Sequence, residues 1–351
     1  MISDHDSAVV EIPKGNRMDV LSEVLLSVKL RGAVFFNGEF SSPWSFFAPP
    51  SRVVAPHVTS SATHLIIYHL LTEGSACAKL ASGNRIELAA GDIVIFPHGD
   101  AHTLGNGSAP ATVDMTNELP RIFSEGLRLS RFGGGGQLTR FVCGYLACDS
   151  EVSQILLAGL PPLFKVTIRD DASGRWLENS IRFSVDHAAS GRDGGEAVLA
   201  KLSEVLFVEA LRLFISQLPS EQKGWLAGAR DSQVGKALSL MHRNPSHPWT
   251  LITLARETAV SRSVLAERFR HFLGESPMSY LTRWRLHLAK QMLASTTCSV
   301  AQVATEAGYE SQAAFNRAFK RAYGLPPARF RTTLGLKTRS NGAGLETSSA
   351  I

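Results

Sequence analysis

In RMDVLSEVLLSVKL, residues 17–30, the apolar positions recur at helical spacing and Asp19 can cap the first turn, which predicts a short amphipathic helix. From Gly32 to about Arg169 the texture changes to short apolar runs separated by Gly, Asn and Pro. AVFF, WSFF, HLIIYHLL, RIEL, DIVIF, RFVCGYLA and LFKVTI are among them, and this succession predicts a β-sandwich or barrel. Helical periodicity returns in EAVLAKLSEVLFVEALRLFISQ, residues 196–217, with Val198, Leu202, Val205, Leu206, Leu213 and Phe214 along one broad face. That face suits either a dimer seam or a lid on the barrel. LPSEQKG, residues 218–224, interrupts the pattern, and the Ser/Thr/Gly/Asn-rich end from about Thr338 predicts a disordered tail.

The remaining stretch repeats itself. Leu254-Ala255 matches Val303-Ala304 at an offset of 49, and Ser261, Leu265, Phe269, Gly274 and Pro277 match Ser311, Phe315, Phe319, Gly324 and Pro327 at 50. The single slip falls inside a turn, at Ala307–Glu310. Each copy reads as two helices and a tight turn. Thr250 and Ser261 cap the helices of the first copy, and Ser299 and Ser311 those of the second. Ala255 and Ala304 are small enough for close crossing, and Gly308 permits positive φ in the turn. Between the copies, Tyr280, Trp284, Leu288 and Met292 stack at four-residue steps and predict one rigid connecting helix. Two helix-turn-helix units held in this way can enter successive major grooves, about 34 Å apart.

Charge sharpens that picture. The 351 residues carry 36 Lys+Arg against 31 Asp+Glu, a formal net charge of only +5. Residues 231–340 nevertheless hold sixteen bases and six acids, leaving a mildly acidic remainder, as expected of a regulatory module joined to a polyanion binder. Arg262, Arg268, Arg270, Arg317, Lys320 and Arg321 lie on the second helix of each copy, which favours DNA over a merely repetitive bundle. With 44% hydrophobic residues the chain can bury two or three ordinary cores. No apolar run approaches the ~18 residues of a membrane span. The polar start lacks a signal-peptide core, so a cytoplasmic protein is expected. Cys77, Cys143, Cys148 and Cys298 have no CxxC spacing and read as buried thiols, with a Cys143–Cys148 disulfide or partial metal site as the alternatives. Gly133–Gly136 is not followed by Gly-Lys-Ser/Thr and reads as a loop rather than a phosphate cradle.

Over residues 234–332, and most specifically in GYESQAAFNRAFKRAYGLPP, the sequence resembles the paired helix-turn-helix domain of the AraC/XylS family of bacterial transcription regulators. The resemblance implies base reading by Ser263, Ala266 and Glu267 in the first recognition helix, and by Gln312, Ala313, Asn316 and Arg317 in the second. Arg317 can pair bidentately with guanine and Gln312 or Asn316 with adenine, whereas Ala266 offers only a methyl and Glu267 must accept from cytosine. Arg262, Arg268, Arg283, Lys320 and Arg329 suit phosphate contacts or internal ion pairs. RNA polymerase contact and activation are what the family usually implies.

GDIVIFPHGDAHTLGN, residues 91–106, has the spacing of the second cupin motif, with a hairpin at Gly91-Asp92 and a turn at Pro97–Gly99 that presents His102 to the barrel interior. The segments at 18–36, 42–46 and 225–231 further resemble the cupin-type sensor domains of one AraC-like subgroup. The His-x-His and glutamate of metal-binding cupins are not matched. His64 and His69, five apart, face opposite sides of a strand, leaving His57, His69 and His102 as weak metal candidates and no cofactor expected.

The expected fold is α+β and multidomain. A flexible 1–16 precedes a cupin-like barrel with flanking helices (17–190), a helical dimerisation or linker region (191–230), an all-α double helix-turn-helix domain (231–335) and a disordered 336–351. The expected function is sequence-specific, double-stranded-DNA-binding transcriptional regulation, without enzymatic activity. A small-molecule effector is expected near His69 and His102, and a homodimer is possible in this scheme. The alternatives are a cupin metalloenzyme fused to a DNA-binding domain and a barrel that only dimerises.

Overall fold

In the computed structural model the described residues are 21–22, 25, 30–58, 64–108, 112–133, 135–148, 157, 159–189, 193–219 and 222–333. The expected N-terminal helix falls mostly outside them, as do both tails. Eleven strands among these residues form two sheets. β1 (Arg31–Ser41), β3 (His64–Glu73), β6 (Asp92–Phe96), β9 (Ser130–Gly133), β10 (Leu138–Cys148) and β11 (Phe164–Thr167) make a six-stranded sheet in the order β11-β6-β3-β10-β1-β9. β2 (Trp44–Ala48), β4 (Ser75–Leu80), β5 (Arg85–Ala89), β7 (His102–Asn106) and β8 (Val113–Asp114) make the second, in the order β5-β4-β7-β2-β8.

The parity of β3 explains why its sequence is almost uniformly apolar. Leu65, Ile67 and Leu71 point between the sheets, into a core with Phe40, Phe46, Phe96 and Phe141. Ile66, Tyr68 and Leu70 point the other way, against helices that cover the larger sheet. A strand buried on both faces has no polar alternation to display.

The covering helices are Ala172–Ala189 and Gly195–Gln217. The second buries Leu199, Ser203, Leu206, Phe207, Ala210 and Leu211. Leu202, Leu206, Leu213 and Phe214 of the expected face pack here, as a lid on the barrel would, and the expectation is corrected only at Val198 and Val205, about half exposed at 51% and 48%. Ser203, polar and buried, sits inward because its hydroxyl meets Tyr68 Oη at 2.7 Å and donates to the Leu199 carbonyl at 2.8 Å. Glycines on the sheet make this docking possible. A Cβ on Gly32 would lie 2.6 Å from the Ala200 carbonyl oxygen, and one on Gly144 would lie 2.2 Å from the Tyr68 ring.

The helical part begins earlier than expected. Trp225–Arg230 packs with the helices that follow it, its Trp225 indole donating to Tyr280 Oη at 2.9 Å while Gly224 N–H donates to the Phe272 carbonyl at 2.8 Å. Residues 225–230 thus join the helical unit rather than a separate linker. Ser232–Arg243 follows, and the two repeat copies are Leu251–Glu257 with Arg262–Leu273, and Val300–Glu306 with Gln312–Tyr323. A last helix covers 327–333. Thr250, Ser261, Ser299 and Ser311 all cap as expected, through hydrogen bonds from N–H groups three residues ahead.

The connecting helix Pro277–Ser295 changes partners midway. Tyr280, Leu281 and Trp284 belong to an apolar core that continues through Trp225 to the helices on the barrel. Leu286, Ala289 and Leu293 belong to a separate core with Val303, Ala304, Phe315 and Phe319. No helix among the described residues is long and apolar enough to cross a membrane.

Candidate functional site

Inside the barrel, three side chains from three strands form one chain of hydrogen bonds. Cross-strand pairing sets His69 on β3 opposite Cys143 on β10. His69 Nδ1 lies 2.7 Å from Cys143 Sγ, and His69 Nε2 lies 2.7 Å from His102 Nε2 on β7. His102 Nδ1 lies 2.8 Å from the Asp100 carbonyl oxygen. That carbonyl can only accept, which fixes every proton. His102 donates from Nδ1 and accepts at Nε2, so His69 donates from Nε2. Its Nδ1 is then left bare to accept from the Cys143 thiol.

All three groups are buried. Burial lowers the His102 pKa to about 4, and burial followed by the neighbouring His102 holds that of His69 well below the usual imidazole range. Burial likewise pushes the Cys143 thiol well up. The resting cluster is neutral throughout. The cavity beside it is lined by Phe35, Phe36, Phe46, Met115 and Leu119, with His69, His102 and Cys143 as its polar members. A water-sized sphere can occupy about 30 Å³ of it, room for roughly two waters or a ligand of few heavy atoms.

A cupin metal does not fit this set. Both histidines spend both ring nitrogens within the chain, and His57 is exposed on the Ser51–Val58 helix, stacked on Phe123 at 5.9 Å. Among the described residues no three His, Cys, Asp or Glu side chains are grouped to hold a metal. Cys143 and Cys148, five residues apart on β10, face opposite sides and remain thiols.

The second site is the outer face of the helix-turn-helix units. On Gln312–Tyr323, Gln312, Ala313, Arg317, Lys320 and Arg321 are exposed, while Phe315 and Phe319 are fully buried. On Arg262–Leu273, Arg262, Ser263, Glu267 and Arg270 are exposed above Leu265 and Phe269. Helical N-termini capped by Ser311 and Ser261 stand at the start of each face.

The family described as Cupin matches residues 19–216, more than half of the chain, and the family described as Helix-turn-helix domain matches 254–333. An AraC-like transcription regulator of Streptomyces lividans is 31% identical over 90% of this chain and 98% of its own length. The chain belongs to the AraC-like transcription regulators. The HTH-type transcriptional regulator AlkR of Acinetobacter baylyi is 28% identical over 90% of this chain and 99% of its own. Among solved structures, an AraC-type DNA-binding domain protein of Chromobacterium violaceum is 28% identical, covers 29% of this chain and 91% of its own, and has a TM-score of 0.28. The protein is a DNA-binding transcriptional regulator of two parts, a cupin barrel and a double helix-turn-helix domain.

Several residues of this AraC-like regulator stand differently from expectation. Arg268 is ion-paired with Asp231, and Arg283 with Glu275, so two cations assigned to phosphate take the internal alternative. Asp231 also caps the Ser232–Arg243 helix through Gln233 and Val234, and these contacts with Arg268 hold its carboxyl below the usual range against its burial. Asn316 is half-buried and its Oδ1 is buried without a partner, where full exposure is expected of a base reader. Ala266, its counterpart in the first copy, is half-buried too. Arg262, Arg317, Lys320 and Arg329 are exposed, and no ion pair engages them among the described residues. Arg270, named only among the second-helix bases and given no contact role, is exposed on the same face as Ser263 and Glu267, seven residues after Ser263. Cys143 was missed as the partner of His69, because a pairing across 74 residues leaves no spacing to read.

Proposed function

We propose that this regulator reads double-stranded DNA with both recognition helices and takes its regulatory input at the barrel. The observation that carries the DNA reading is the set Gln312, Arg317 and Lys320, exposed on one face of a capped helix and unpaired among the described residues. Arg317 and Gln312 read bases, with Ala313 beside them, and Asn316 joins once its amide turns outward. In the first copy Ser263 and Glu267 face bases and Ala266 contributes little. Arg262, Arg270, Lys320 and Arg329 neutralise phosphates. Arg317→Ala should weaken binding to a selected operator by roughly 5- to 150-fold, against a far smaller loss on random DNA. Equal losses on both would remove Arg317 from base reading.

The barrel reading is that of a sensor rather than an enzyme, supported by an apolar cavity whose polar groups satisfy one another. The protein acts in the cytoplasm, with RNA polymerase as the partner through which occupancy changes transcription. A dimer forms along the Gly195–Gln217 helix, where exposed Val198 and Val205 stand seven residues apart and Val208 adds to the strip. Sedimentation velocity tests this: Val205→Glu should shift a dimer to monomer, and an unchanged species would exclude that face.

A further inference from the structure

The cavity has a chemical peculiarity that its apolar lining makes sharper. A ligand that needs a hydrogen bond finds no unused nitrogen on His69 or His102, since each is committed to a neighbour at 2.7–2.8 Å. A ligand that reacts with sulfur needs no new partner, because the thiol already points its proton at a bare imidazole nitrogen. We infer that Cys143 is a covalent capture site for a small, uncharged carbon electrophile of the α,β-unsaturated carbonyl class, with His69 as the base and His102 as its relay. This rests on the reading of the barrel as the sensor and names its ligand class.

The step balances without an added oxidant or reductant. As Cys143 Sγ bonds to the β-carbon, its proton moves to His69 Nδ1, and the C=C electron pair shifts towards the carbonyl to give an enolate. The charge on His69 is shared by passing its Nε2 proton to His102 Nε2, 2.7 Å away. Return of that proton and delivery of the one on Nδ1 to the α-carbon completes the addition and restores both neutral imidazoles. Burial keeps the free thiolate from forming, so sulfur attacks only where His69 takes the proton. The surroundings of His69 are His102, Cys143 and the rings of Phe46, Phe96 and Phe141, with no carboxylate, lysine or arginine in that shell among the described residues. An anionic reagent would shed its hydration there uncompensated.

Capture has a mechanical route outward. Gly144, next to Cys143, lies under the Tyr68 ring, and Tyr68 Oη meets Ser203 of the Gly195–Gln217 helix at 2.7 Å.

The test uses the full chain, methyl vinyl ketone as the neutral electrophile and iodoacetate as the anionic one, with site-resolved mass spectrometry. Cys143 should react with the ketone at least tenfold faster than Cys148, which is equally buried on the same strand, and should resist iodoacetate. His69→Gln keeps an acceptor but cannot take a proton. It should slow Cys143 at least tenfold while the buried Cys148 on the same strand stays as slow as in the wild type, which also shows that the barrel is folded. His102→Gln should slow Cys143 less and leave its resistance to iodoacetate intact. Cys143 reacting no faster than Cys148, or unaffected by His69→Gln, would overturn the capture site. Hydrogen exchange then separates the two claims: protection across 195–217 should change on adduct formation in the wild type and not in Cys143→Ser. An adduct with unchanged exchange keeps the capture site but removes its role as sensor.

Discussion

The two helix-turn-helix units share a plan and differ in allegiance. The first shares an apolar core with Trp225 and the helices on the barrel, and it spends Arg268 on Asp231. The second closes a small core of its own and presents Arg317 where the first has Glu267, fifty residues earlier. The first turn bends at Ala259 with φ 58, whereas the second bends at Gly308 with φ 79. Of the two copies, the first is tied into the rest of the protein through its core and through Arg268, while the second stands on a core of its own.

The largest test of that division is Phe319→Ala. Emptying the second core should cost about 3–5 kcal/mol, and hydrogen exchange should show protection lost across 300–323 and retained in the first unit. Simultaneous loss in both would mean that the units fold as one. Next comes the exchange of turn chemistry. A Cβ at Gly308 would lie 2.7 Å from Ser246 Cα, so Gly308→Ala should destabilise the second unit by about 2–3 kcal/mol. The reciprocal Ala259→Gly should gain up to about 1 kcal/mol in the first, with opposite signs in paired thermal melts.

Acid should also part the units. His242 is buried between Trp225, Tyr280 and Trp284, and burial lowers its pKa to about 3. The unfolded chain binds the proton near pH 6.5, so stability is full above that and declines towards pH 3. The first unit should lose about 2 kcal/mol by pH 5. Residues 296–333 contain no histidine, so second-unit exchange over the same range should fall less, through the buried His287 of the connecting helix, whose pKa burial lowers to about 4. The smallest effect separates the cations on DNA. Arg262→Ala should lower the salt slope of binding by about 1, and Arg268→Ala should leave the slope unchanged while lowering stability.

Much of this was legible because the repeat is local. Caps, small crossing residues and inward phenylalanines lie within one or two turns of each other, and Thr250, Ser261, Leu265 and Phe315 fall where the spacing put them. The barrel was legible as β structure, and its site only as the pair His69 and His102, without Cys143. His102 could be placed facing inward from its turn, but its partner His69 and the thiol beyond it come together only through strand register. The Gly195–Gln217 helix was misplaced only at Val198 and Val205, because Ser203 looks outward in a hydrophobicity pattern. Its burial is decided by Tyr68 and Gly32, far away in sequence. Asn316 was named a reader by resemblance, and only its surroundings show that its Oδ1 is buried.

The connecting helix, Pro277–Ser295, makes the regulator a gauge of length as well as of letters. Its 19 residues span about 28 Å, and each end is gripped by a different core. One base pair inserted between the two recognised segments would advance the second by ~3.4 Å and turn it about a tenth of a revolution around the duplex. A stiff rod cannot follow that screw motion. An operator with both segments intact but misphased should therefore hold the protein by one unit at a time, and ten added base pairs should restore the angle without restoring the reach.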